Sequence, residues 1–157
     1  MSDVAHKDDR QAPLAGLLEV AQQALLAEFE RELAKSGYGD IRPTHGCVFR
    51  FVRDEGMRLT ELASLAGMTK QSVGEMVDGL VERDYVERIP DPEDKRAKLI
   101  CLTERGKEAQ RFGFALFSDL EERWAERFGS GRVAGLRGLL EEIAADEIPE
   151  ALVSAER

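Results

Sequence analysis

59-LTELASLAGMTKQSVGEMVDGLVERDYVERIPDPEDKRAKLICL-102 changes its apolar periodicity part-way along, and that change decides the fold. Leu59, Leu62, Ala63 and Ala66 recur at helical spacing and give a short helix one narrow apolar face. Gly67 follows where a tight turn needs a residue that tolerates positive φ. Thr69 is placed to cap a second helix by accepting from the amide of Ser72 or its predecessor. In that second helix Val73, Met76, Val77, Leu80 and Val81 form the predicted buried stripe, which leaves Lys70, Gln71, Ser72 and Glu75 exposed near its N-terminal end. Ala63, Gly67 and Val73 supply a small contact residue, a turn and an apolar lock between the two helices.

Beyond Asp84 the residue choice turns to β-formers. Tyr85 to Ile89 reads as a strand, and Ala97 to Leu102 as its antiparallel partner. Between them Pro90 to Arg96 holds two prolines and three acids, a composition that bars regular structure and predicts a hairpin tip projecting into solvent with Lys95, Arg96 and Lys98. Thr103 then opens a long helix. Helix, turn, helix and hairpin is the order of a winged helix-turn-helix, so the expected class is mainly α with a small β-hairpin wing. In that layout the second helix enters a major groove, which makes Thr69, Lys70, Gln71, Ser72 and Glu75 candidate DNA contacts. Lys95, Arg96 and Lys98 complete the set, with Arg96 positioned to reach the adjacent minor groove.

The flanks divide the chain further. Residues 1–11 are polar and charged and read as a flexible tail. Within 12–41, Leu14, Leu17, Leu18, Ala21, Leu25 and Phe29 form a helical apolar stripe that ends near Gly37-Tyr38-Gly39. The winged unit spans 42–107. From 108 to 157 a long helix carries Ala109, Phe112, Leu116, Leu120 and Trp124, breaks at Gly129-Ser130-Gly131, and gives way to a helix carrying Val133, Leu136, Leu139, Leu140 and Ile143. These apolar faces exceed what the winged unit can cover. A homodimer is therefore expected, with Ile148 and Leu152 interlocking with the N-terminal helix of a second subunit.

Three stretches, LTELASLAGMTKQSVGEMVDGLVERDYVER, DPEDKRAKLICLTERGKE and RPTHGCVFRFV, resemble the MarR family of bacterial transcription regulators, over roughly residues 12 to 146. The resemblance implies that the first is the helix-turn-helix, the second the wing and the third a helix packed behind them. It also implies a homodimer that binds double-stranded DNA at a pseudopalindromic operator, most often as a repressor relieved by a small aromatic or phenolic ligand, while the sparse cysteines point to a reduced, cytoplasmic compartment. By position, Tyr38, Arg42, His45 and Phe49 are the candidates for the ligand crevice between the dimerisation helices and the winged unit. Three residues depart from the family pattern. Gly74 and Glu75 stand where a hydroxyl and a basic residue are usual, and Gly79 replaces a common basic residue. Glu75 is expected to orient a neighbouring basic side chain, to stay solvated, or to accept from cytosine N4. The alternative function is a winged-helix module that binds protein and antagonises a related regulator.

The formal charge of −9 runs against a DNA-binding reading, because affinity for DNA comes largely from Lys and Arg displacing counterions. Its distribution answers part of the objection. Residues 42–107 hold twelve basic and twelve acidic side chains, so the negative excess lies wholly in the flanks. Arg42, Arg50, Arg53, Arg58, Lys70, Lys95, Arg96 and Lys98 are the candidates to line a phosphate-facing surface. The chain has no window of membrane-span length. Two cysteines, Cys47 and Cys101, are too few for a disulfide framework and lack zinc-site spacing, so no metal or other cofactor is expected. His45 and Cys47 sit two residues apart, which on a helix points them to nearly opposite sides and argues against a catalytic pair and an enzyme. Both thiols read as buried apolar fillers rather than redox sensors.

Overall fold

Six α-helices and three short strands follow one another along residues 12–147, the span described by this computed structural model. The chain enters through Pro13 into α1 (Leu14–Ala34), passes a 3-10 turn at Pro43–His45, and forms α2 (Gly46–Phe51). After β1 (Met57–Arg58) come α3 (Leu59–Ala66) and α4 (Lys70–Glu82), then the hairpin of β2 (Val86–Pro90) and β3 (Lys98–Leu102). Two long helices close the described region, α5 (Glu104–Phe128) and α6 (Ser130–Glu147). Ile148 and Leu152, expected to interlock with a second subunit, lie outside the described residues.

Local chemistry sets the boundaries. Gly67 ends α3 at φ 62°, the left-handed conformation that terminates a helix without a Cβ clash. Two residues on, the Thr69 hydroxyl accepts from the Ser72 amide at 3.2 Å and caps α4. Thr103 does the same for α5, accepting from the Gly106 amide at 3.0 Å while donating to the Asp84 carbonyl at 2.6 Å. These two hydrogen bonds of one hydroxyl tie the base of the wing to the start of α5. Gly106 is required there, because a Cβ at this position would run into the Tyr85 carbonyl.

The core lies between the winged unit and the lower half of α5. Val73, Val77 and Leu80 of α4 are fully buried against Leu62 of α3, Val48 of α2, Met57 of β1 and Ile100 of β3. Truncating a side chain such as Leu80 to Ala in a site this closed costs about 2–5 kcal/mol. Val81 departs from the expected stripe and is 37% exposed. It follows Leu80 by one residue, about 100° around the helix, which turns it away from the line of Val73, Val77 and Leu80.

The sheet is richer than the expected hairpin. Its order is β1-β3-β2, so a third, two-residue strand flanks β3, with Met57 opposite Ile100 and Arg58 opposite Leu99. Pro90, expected in the loop, closes β2 opposite Lys98. An edge strand tolerates a proline at its end because no ladder amide is lost. The corresponding start shifts by one: Tyr85 precedes the strand and is buried, its carbonyl accepting from the Thr103 amide at 3.1 Å.

Candidate nucleic-acid interface

At the N-terminal end of α4, the exposed residues are Thr69, Lys70, Gln71, Ser72 and Glu75, as the periodicity predicts. Their polar groups are not equivalent. The hydroxyls of Thr69 and Ser72 lie 2.8 Å apart, one donating to the other at the cap. Gln71 donates from Nε2 to Glu75 Oε1 at 3.2 Å, across one helical turn. Glu75 stays exposed, one of the roles expected for it, and its side-chain partner is a glutamine rather than a basic residue.

The wing is built on an acid that sequence reading placed in solvent. Asp91 is 4% exposed. Its Oδ1 accepts from the Glu93 amide at 2.8 Å, and its Oδ2 accepts from Arg58 Nε at 2.8 Å. The Glu93 amide first, and the Arg58 guanidinium next, hold this carboxyl below the usual carboxylate range. Arg58 therefore anchors the wing from β1, with its guanidinium committed to Asp91. Arg53 is likewise engaged, 3.2 Å from Glu61.

A second tie runs from the hairpin to the reading helix. Arg88 on β2 donates to Asp78 on α4 at 2.5 Å. Neither residue was singled out from sequence. The signal available was only the pairing of a helix-end acid with a strand cation ten residues away. Lys70, Lys95, Arg96 and Lys98 are all exposed and have no ion pair among the described residues, so their charge is directed outward.

The ligand candidates divide in two. Tyr38 packs against Phe112 at 5.2 Å between ring centroids, and Phe49 stands edge-on to Tyr85 at 6.0 Å. The Tyr85 hydroxyl donates to Asp40 at 2.6 Å and receives Arg105 at 3.1 Å, so this aromatic cluster joins the end of α1 to the wing base and α5. Gln110 of α5 donates to the Phe49 carbonyl at 2.5 Å. His45 is buried and its Nδ1 accepts from the Arg42 amide at 3.0 Å, while the Arg42 side chain is exposed. The structure thus gathers Tyr38 and Phe49 around Tyr85, and sets His45 and Arg42 together at the 3-10 turn.

Cys47 lies 3.5 Å from the Met76 sulfur, and Cys101 is buried in β3. Burial pushes both thiols above their ordinary values, the direction opposite to that of a reactive thiolate.

Comparison with known proteins places this geometry. The family model described as "MarR family" matches residues 40–97, the span from the α1–α2 junction to the wing. The HTH-type transcriptional regulator PetP of Rhodobacter capsulatus is 32% identical over 122 residues, covering 77% of this chain and 72% of PetP. The chain belongs to the MarR family. Among solved structures, the reduced form of MarR from E. coli superposes with a TM-score of 0.75 at 26% identity, over 86% of this chain and 98% of that one. CouR from Rhodococcus jostii bound to p-coumaroyl-CoA gives 0.67 at 26% identity, over 87% and 94%. This MarR-family chain is a winged-helix DNA-binding transcription regulator, and not an enzyme. No described helix is long and apolar enough to cross a membrane.

Proposed function

We propose that this MarR-family regulator acts as a homodimer that binds a pseudopalindromic operator, represses transcription from it, and releases it on binding a small aromatic or phenolic ligand. The observation that carries the dimer is the uncovered apolar surface of α1, α5 and α6. Leu14 is 69% exposed, Leu139 55% and Ile143 49%, and apolar surface gathered on neighbouring helices in this way marks a contact site. A groove of about 370 Å3 opens between these helices, lined by Leu25, Phe117, Trp124, Val133, Leu136 and Leu140. A second copy fills such a groove with the same apolar residues, a self-complementary arrangement suited to twofold symmetry.

On DNA, each protomer places α4 in a major groove, with Lys70, Gln71, Ser72 and Glu75 near base edges and phosphates, and each wing sets Lys95, Arg96 and Lys98 along the flanking backbone. Repression agrees with the likeness to MarR, which is named a multiple antibiotic resistance repressor. The ligand enters near Tyr38 and Phe49, whose rings pack on Tyr85 at the wing base, with Arg42 and His45 at the neighbouring 3-10 turn.

Fluorescence anisotropy of the purified protein on DNA from upstream of its own gene, against scrambled DNA and across a salt series, tests the reading. Salt-sensitive binding selective for the upstream DNA supports an operator-binding regulator. Weak binding, equal on both duplexes and insensitive to salt, supports the protein-binding alternative instead.

A further inference from the structure

The four polar side chains nearest the start of α4 are already sorted by their own contacts. Thr69 and Ser72 share one hydroxyl–hydroxyl bond in the cap, and Thr69 also accepts from the Ser72 amide. Lys70 is a point charge suited to phosphate. Gln71 alone of the four offers a donor and an acceptor side by side on a planar amide, and one turn along the same exposed face stands Glu75, one of the three residues that depart from the family pattern.

A glutamine amide alone is ambivalent: rotated half a turn, it exchanges its oxygen and nitrogen and so exchanges the bases it suits. An ionised carboxylate removes that ambivalence, because it only accepts. Glu75 Oε1 sits 3.2 Å from Gln71 Nε2, so the nitrogen must face the carboxylate and the amide oxygen must face away. With one N–H given to Glu75, Gln71 retains one N–H and one acceptor oxygen. Those two groups complement the N7 acceptor and N6 amino donor of adenine in the major groove. Guanine offers two acceptors there and leaves the amide oxygen unmatched; the negative charge of Glu75 beside it adds to that penalty.

We infer that Glu75 is a positioning residue for base readout, fixing the Gln71 amide so that each half of the bound site is selected for adenine at one position. The inference rests on the reading of the chain as a sequence-selective dimer.

The test is enrichment of duplexes from a randomised pool by the full-length protein, followed by anisotropy on the enriched duplex and its single-base variants. The wild type is expected to enrich adenine at one position per half-site. Gln71→Ala should lose that preference. Glu75→Gln, whose amide can either donate or accept, should lower the adenine preference at that position by roughly fivefold or more while leaving other positions unchanged. A structural role for Glu75 would instead weaken every position together and alter the helical circular dichroism, which overturns the inference. So does an unchanged adenine preference in Glu75→Gln, or the loss of a cytosine preference, which would make Glu75 itself the reader. If the wild type enriches no sequence at all, the operator reading fails and takes this inference with it, an outcome distinct from a motif that ignores Glu75.

Discussion

Asp91 and Arg58 show how much one residue pair can organise at the tip of a small fold. Glu93 and Arg58 both stabilise the charged form of Asp91, so its folded value is depressed. A depressed carboxyl contributes stability that is complete above the unfolded value, near 4, and is lost as pH falls through the folded one. Removing the carboxyl in Asp91→Ala is expected to loosen the wing locally: amide exchange at Glu93 and Ala97 should quicken while α4 is unaffected. Uniform exchange in the wing of wild type and variant would deny Asp91 this role. His45 has the same sign in a different pH range. Burial first, then the cations Arg83 and Arg42, hold its imidazole below its ordinary value, and the neutral ring accepts from the Arg42 amide. The unfolded chain therefore binds the proton first as pH drops below about 6.5, and stability declines from there toward the folded value. Melting temperature should fall between pH 7 and 5 more steeply in the wild type than in His45→Gln, whose amide oxygen can still accept from Arg42. Parallel curves would assign the pH dependence elsewhere. On the wing, Arg96→Ala should weaken DNA binding by roughly 1–3 kcal/mol if the side chain reaches a narrow groove. An unchanged affinity would remove Arg96 from the interface.

Among the elements, α4 carries an unusual load, because it must present the reading surface while holding two interior glycines. Gly74 has space: a Cβ there would meet only Leu59 Cδ2 at 3.7 Å, an ordinary contact. Gly74→Ala is expected to stabilise the chain by about 1 kcal/mol, raising the melting temperature by roughly 2–4 °C. A loss of stability would mean that the methyl cannot be accommodated against α3. The same helix illustrates what the sequence discloses. α3, Gly67, the Thr69 cap and α4 are legible because apolar period, turn residue and cap agree over twenty-odd positions. β1 is not, since two residues are too few to show any period, and Met57-Arg58 acquires strand geometry only by pairing with β3. Asp91 misleads because a charge in a Pro-rich loop reads as solvated, whereas its burial depends on Arg58, thirty-three residues away. Glu75 was legible as exposed, but its partner was not, because Gln71 and a basic neighbour are equally within reach of a carboxylate on a helix.

At the scale of the whole molecule, charge and apolar surface pull the two halves toward different partners. The winged unit is neutral in sum, yet Arg53, Arg58 and Arg88 are each held by an acid, so the cations turned outward on α4 and the wing reduce to Lys70, Lys95, Arg96 and Lys98. Four per protomer makes eight in a dimer. If all engage phosphate, the logarithm of affinity should fall against the logarithm of salt with a slope of about −7, and a slope near half that value would indicate a single protomer bound. The acidic flanks, which hold the whole negative excess, are then left to the proposed contact between copies. Along α6, Leu136 is 41% exposed and lines the groove shared with α1 and α5, beside the Arg137–Glu121 ion pair. A carboxylate placed there stays solvated in an isolated protomer but is buried unpaired against a second copy, at a cost of several kcal/mol. Leu136→Glu is therefore expected to sediment as a folded monomer with its circular dichroism retained, and to give a salt slope near half that of the wild type. A variant that sediments as a dimer places the contact between copies away from this groove.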